Sequence, residues 1–220
     1  MLQHVWERAV MARYLAKVIV ATDDERIYAE ARKFGAPVRM TLAEHRSGTD
    51  RVAEVASTES AEIVVNIQGD EPLIDPGAID VAAYALMEDL DVPMATLKKK
   101  IEDPGELKNP NVVKVVTASN GDALYFSRSL IPHQSEGGNV AVGLHFKHIG
   151  LYVYRRAFLM EYPGLRVGPL EKAERLEQLR ALENGYRIRV VETEYESLGV
   201  DTPADLERVG RLFEIGARGT

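Results

Sequence analysis

Residues 46–51 read RSGTDR, two arginines flanking a glycine turn and two hydroxyls. Arg46, Ser47, Gly48 and Thr49 offer a guanidinium fork, hydroxyls and the N–H groups of a helix start, donors that suit a base, a phosphate or a carboxylate. An ordinary capped helix with solvated arginines would use the same residues. Two aspartates stand in comparable places. Asp70 follows the apolar run EIVVNIQ at 62–68, within the loop Gln68 to Glu71, and Asp201 precedes the last helix. Carboxylates with open positions for water or phosphate are the hard oxygen ligands that Mg²⁺ prefers, although a turn residue and an N-cap account for both equally well. His148 and Tyr152 fall on the same side of an alternating strand at 146–152, where they could meet a ligand together or pack in the core. Glu171, Glu174 and Gln178 recur at helical spacing, as ligand partners or as a solvated face. Arg128, at the end of YFS, is a further anion donor or a surface arginine.

These groups need a scaffold that gathers loops from distant places. KVIVAT at 17–22 reads as a buried strand, with Asp23 or Asp24 capping a helix to about Phe34. A short strand follows at 38–40, then a helix capped by Thr49 or Asp50, then the strand at 62–68, and Asp75-Pro76 opens the next helix. Further strands are expected at 92–97, 112–117, 123–127, 146–154 and 187–191, with a Ser-Asn-Gly-Asp turn making 112–127 a hairpin. Helices are expected at 2–13, at 155–162, over 170–183 as one long segment, and after 201–203, while 132–144 reads as a mobile loop. Repeated β-then-α units argue for an α/β fold, one mixed, mostly parallel sheet with helices on both faces. Ligands of such sheets bind beyond the carboxyl ends of the strands, where loops 46–51, 68–71 and 199–205 would form one cleft.

The 220 residues suit one domain, carry no cysteine and have a net charge of −7. Disulfides, thiolate chemistry and sulfur-ligated zinc are excluded, and a broadly basic nucleic-acid groove is not indicated. No GxxxxGK[ST], GxGxxG or HExxH occurs, which removes the usual anchors for ATPase, dinucleotide and histidine-metal readings. No membrane span or signal peptide is legible, so the cytoplasm is the expected compartment.

Several segments together resemble one family, 3-deoxy-manno-octulosonate cytidylyltransferase, or CMP-Kdo synthetase. They are HVWERA at 4–9, VIVATDDERI at 18–27, EHRSGTDRVAEV at 44–55, VVNIQGDEPLI at 64–74, NPNVVKVV at 109–116, ALYFSRSLIP at 123–132, KHIGLYVYR at 147–155, PLEKAERLEQLR at 169–180 and GVDTPADLERV at 199–209. They span nearly the whole chain in the family's order. The resemblance implies a fold of nucleotide-diphospho-sugar transferase type with a central β-hairpin insertion. It implies transfer of CMP from CTP to the anomeric hydroxyl of Kdo, for lipopolysaccharide synthesis. It also implies Mg²⁺ held by Asp70 and Asp201, a nucleotide pocket at 46–51, and a sugar side of Gln68, Arg128, His148, Tyr152, Glu171 and Gln178. A homodimer is expected, with Leu144 and Phe146 near the partner surface. Family members normally begin with a strand and an Ile-Pro-Ala-Arg loop around the triphosphate. Residue 1 here aligns with the helix after that loop, so the sequence as written is expected to lack that strand and those donors. Two alternatives stand beside this reading: a cytidylyltransferase for another acidic sugar, and a sugar or nucleotide binding protein impaired in catalysis.

Overall fold

Capping side chains and β-branched runs set most element ends. The structure, a computed structural model, describes residues 1–45, 47–133, 144–200 and 202–217. The first half alternates helix and strand: α1 (Leu2–Val10), β1 (Val20–Thr22), α2 (Glu25–Lys33), β2 (Val38–Met40), α3 (Gly48–Ser57), β3 (Ile63–Asn66) and α4 (Pro76–Glu88). Asp24 caps α2 by accepting from Arg26 N, and Asp75 caps α4 by accepting from Gly77 N, with Pro76 preset for the first turn. The cap of α3 is Ser47, which accepts from Asp50 N, two or three residues earlier than the expected Thr49 or Asp50. The second half contains β4 (Met94–Lys100), α5 (Pro104–Leu107), β5 (Lys114–Thr117), β6 (Ala123–Ser127), β7 (Phe146–Arg155), α6 (Arg156–Glu161), α7 (Pro169–Glu174), α8 (Leu179–Glu183), β8 (Ile188–Glu192) and α9 (Pro203–Ala217).

The sheet is mostly antiparallel, which corrects the expectation of a mostly parallel one. A six-stranded sheet runs β6-β5-β7-β4-β8 with β3 added on β7, and only β4·β8 is parallel within it. The ten-residue β7 is the spine: β4 pairs along one edge, while β5 pairs with its beginning and β3 with its end. Apolar runs report that both faces of a strand are covered, but they carry no information on direction, and the long β7 reverses against three neighbours. The runs at 18–21 and 63–67 also part company. β1 and β2 form a separate parallel pair, and no strand among the described residues joins β1 to β3. The expected hairpin is present as β5–β6, with Gly121 at φ +85° in its turn, at the sheet's edge rather than its centre.

Alternation along the strands divides the core between two faces. Ala95, Leu97 and Val153 pack beneath α1 and α4 with Val5, Ile79 and Leu86, while Met94, Phe126 and Tyr154 pack against Phe158 and Leu179 on the other side. The long helix expected over 170–183 is broken in two. Arg175 takes a left-handed conformation (φ 53°) between α7 and α8, so Glu171, Glu174 and Gln178 do not share one helical face. The loop at 134–143 lies outside the described residues. No helix among the described residues is long and apolar enough to cross a membrane.

Candidate active site

A line of polar groups crosses the sheet where β7 bulges. The β4·β7 register shifts between Thr96 and Leu97, so Thr96 faces Tyr152 and the next residue faces Ile149. The buried Thr96 hydroxyl lies 2.8 Å from Leu151 O, 3.1 Å from Ile149 O and 2.9 Å from His148 Nε2. With its one proton given to a carbonyl, Thr96 accepts from His148 Nε2–H, which leaves Nδ1 as a free acceptor. Burial holds the imidazole down to about 3, so it is neutral at ordinary pH. As the alternation predicts, His148 and Tyr152 lie side by side, ring centroids 5.5 Å apart, with Phe126 edge-on to the imidazole at 5.0 Å.

The line continues into the loop before α8. Tyr152 donates its hydroxyl to Gln178 Oε1 (3.2 Å), and burial pushes that phenol well above its usual range. Gln178 is 3% exposed, and its Nε2 has no partner among the described residues, leaving an amide donor for a ligand. The adjacent Glu177 accepts from Ser47 Oγ (3.0 Å) and from Thr49. Burial raises its carboxyl, and those two hydroxyls oppose the rise. Thr49 also bonds Tyr154 and is 3% exposed. Ser47 and Thr49, in the expected nucleotide loop, are thus joined through Glu177 to Gln178 and Tyr152 on the expected sugar side. Thr96 and Glu177 were not singled out from sequence. A hydroxyl within the apolar run PMATL and a carboxylate behind Leu176 were the available signals.

The loop after β3 faces a second space. A cavity of about 650 Å³ opens between β1 and β3, with Asn66, Gln68, Gly69, Gly48 and Arg51 among its polar lining. Gln68 is exposed and Asp70 half-buried, and no described residue donates a hydrogen bond to the Asp70 carboxylate. Val200 N donates to Asp70 O at 2.9 Å, which brings the segment before Asp201 to the Asp70 turn. Arg46 and Asp201 themselves lie outside the described residues, among which no cluster of three or more metal-ligating side chains occurs.

Two of the expected sugar-side residues are occupied by the protein. Arg128 donates from Nε to Glu174 O (2.8 Å) and from Nη1 to Pro110 O (3.0 Å), while Glu174 accepts from Arg128 N (2.9 Å) and Ser127 Oγ (2.5 Å). Glu171 forms a two-pronged pair with Arg180 at 2.9 and 2.6 Å. Both brace the α7–α8 turn.

Comparison with known proteins decides the family. The Cytidylyltransferase family matches residues 1–188. The 3-deoxy-manno-octulosonate cytidylyltransferase of Solibacter usitatus is 69% identical over 214 residues, covering 97% of this chain and 84% of that protein. The chain belongs to the 3-deoxy-manno-octulosonate cytidylyltransferase family. A second member, from Geobacter sulfurreducens, is 56% identical over 217 residues, covering 95% of this chain and 87% of that one. Among solved structures, a CMP:2-keto-3-deoxy-manno-octonic acid synthetase complexed with CTP superposes with a TM-score of 0.91 at 42% identity, over 98% of this chain and 88% of the other. A fold with one long antiparallel spine strand is therefore shared with a family member that holds CTP.

Proposed function

We propose that this chain acts as one cytidylyltransferase domain, within a homodimer, that transfers CMP from CTP to Kdo and releases pyrophosphate. The observation that carries the reading is a run of linked polar groups: Ser47 and Thr49 bond Glu177, its chain neighbour Gln178 accepts from Tyr152, and the Tyr152 ring lies 5.5 Å from that of His148, which supports a nucleotide loop and a sugar-binding face built as one unit. In the reaction the anomeric hydroxyl oxygen of Kdo attacks the α-phosphorus of CTP, the bond from that phosphorus to the bridging oxygen breaks, pyrophosphate departs with the electron pair, and the hydroxyl proton is lost. No covalent protein intermediate is needed, so alignment and charge compensation carry the rate.

Neutral His148 offers Nδ1 as an acceptor, and Gln178 offers Nε2 as a donor, to sugar hydroxyls. Both are held by Thr96 and Tyr152, so they need little reorganisation on binding. Asp70 and Asp201 are the residues assigned to hold Mg²⁺. The carboxylate chemistry suits a hard cation, and the Val200-to-Asp70 backbone bond supports the convergence of their two loops. When bound, Mg²⁺ neutralises phosphate oxygens and favours loss of the hydroxyl proton. The compartment we assign is the cytoplasm, where CTP is available.

The test is pyrophosphate release from CTP with Kdo or with a sialic acid as acceptor. Kdo-dependent release is expected, with Asp70→Asn slowing it by about 10²-fold while circular dichroism stays unchanged. Release with the sialic acid alone would favour the other acidic-sugar reading, and CTP binding without release would favour a binding protein.

A further inference from the structure

The segment leaving β8 is fastened at residues 193, 195, 196, 197 and 200 on its way to Asp201. Thr193 N donates to Lys98 O (2.9 Å), Glu196 pairs with Lys99 (2.9 Å) and Lys147 (2.5 Å), and Val200 N donates to Asp70 O (2.9 Å). Between these ties, the Tyr195 hydroxyl donates to Glu71 Oε2 at 3.0 Å, and the Ser197 side chain also bonds the Glu71 carboxyl. Glu71 and Tyr195 are each only 8% exposed. The main chain of Glu71 belongs to the turn that presents Asp70: its N–H reaches Gln68 O, and its carbonyl accepts from Ile74 N at 3.0 Å.

A carboxyl buried there is costly unless its oxygens are satisfied, and an apolar pair would fill the same space more cheaply. What the polar pair adds is direction. A hydrogen bond fixes the separation of two chain segments to a few tenths of an ångström, whereas apolar packing tolerates sliding. The segments it joins are the turn carrying Asp70 and the strap leading to Asp201. Two carboxylates from separate loops can share one cation only if those loops are held in a fixed relation, and the groups that hold the ligands commonly govern metal affinity.

We propose that Glu71 and Tyr195 are positioning residues for magnesium-dependent nucleotide binding: their buried hydrogen bond sets the distance between the turn at 69–72 and the strap at 197–200. This rests on the assignment of Asp70 and Asp201 to the cation. Both side chains are buried, so they act through the loops they join. Removing their bond leaves the core shape intact but loosens the relation between the two carboxylate-bearing loops.

The test is calorimetric titration of the full chain with CTP, in magnesium and separately in EDTA, for wild type, Tyr195→Phe, Glu71→Ala and Glu71→Gln. Magnesium should tighten CTP binding by wild type. That tightening should shrink by about tenfold in Tyr195→Phe and Glu71→Ala, while the EDTA affinity of each stays at the wild-type value. Glu71→Gln, whose amide oxygen still accepts from Tyr195, should restore the tightening to within about threefold of wild type. Unchanged tightening in both disruptive variants would overturn the proposal. So would an equal loss of affinity with and without magnesium, the mark of a general effect on the fold. If Glu71→Ala does not fold, Tyr195→Phe, which removes one oxygen, decides the matter. Wild-type CTP binding that ignores magnesium would refute the cation assignment itself, and the positioning role with it, an outcome distinct from the variant-specific ones.

Discussion

His148 illustrates how an ordinary titratable side chain is converted into a fixed acceptor. Folding lowers its value from 6.5 to about 3 through burial, so below pH 6.5 the unfolded chain takes up a proton that the native chain refuses. The contribution of this group to stability is intact above about 6.5 and is progressively lost as pH falls toward 3. Replacing His148 with Gln removes that titration. Chemical denaturation from pH 7 to 4 should show the variant losing less stability than wild type, by up to about 1.4 kcal/mol per pH unit. Parallel curves for the two proteins would mean that the imidazole is protonated in place. Glu177 shows the complementary case, a buried carboxyl whose cost is reduced by two hydroxyls from the loop it holds.

At the scale of elements, the break between α7 and α8 turns a would-be helical face into a bend that places Glu174 against Ser127 and Arg128, and Gln178 against Tyr152. The bend depends on Arg175 at φ 53°, a region disfavoured for any residue with a Cβ, and the Arg175 side chain is exposed. Arg175→Gly should therefore stabilise the protein. Relief of about 1–2 kcal/mol of backbone strain outweighs about 0.4–1 kcal/mol of added freedom in the unfolded chain. Arg175→Val should destabilise, since a β-branched side chain tolerates the left-handed region least. Urea denaturation of both variants checks the pair, and the opposite order would place the bend's cause in the Arg175 side chain rather than its backbone.

For the whole molecule, the β5–β6 hairpin is the notable surface. β6 is the last strand of its sheet, and Leu124 on it is 63% exposed; Leu144, which precedes β7, is 59% exposed. Phe146 is half-buried beneath Lys98 Nζ, 4.1 Å from its ring centroid. An edge strand that carries an exposed leucine favours association. Light scattering in the micromolar range should return twice the 24.4 kDa chain mass, and Leu124→Lys should shift the population toward the single-chain value. A single-chain mass for the wild type across that range would reject the homodimer.

What the residues determined by themselves is local. The pair Asp23-Asp24, of which Asp24 proved the cap, and Asp75 announced their helices because capping is decided within three residues, the Asn-Gly turn announced its hairpin, and alternation at 146–152 put His148 beside Tyr152. The quoted motifs carried the family. Strand direction was not legible, because apolar runs record burial and β7 acquires its three antiparallel neighbours only when chain segments far apart in sequence meet. Nor was the break at Arg175, where helical spacing continues through a residue whose backbone is left-handed in the folded chain. The candidate site divides the same way. His148, Tyr152 and Gln178 were visible as polar residues at suggestive spacing, whereas Thr96 and Glu177 acquire their roles only from partners supplied by other elements. Side-chain type and spacing set what each residue can do. Which hydroxyl satisfies which carboxyl is a long-range choice, made when buried polar groups must find partners in the packed chain.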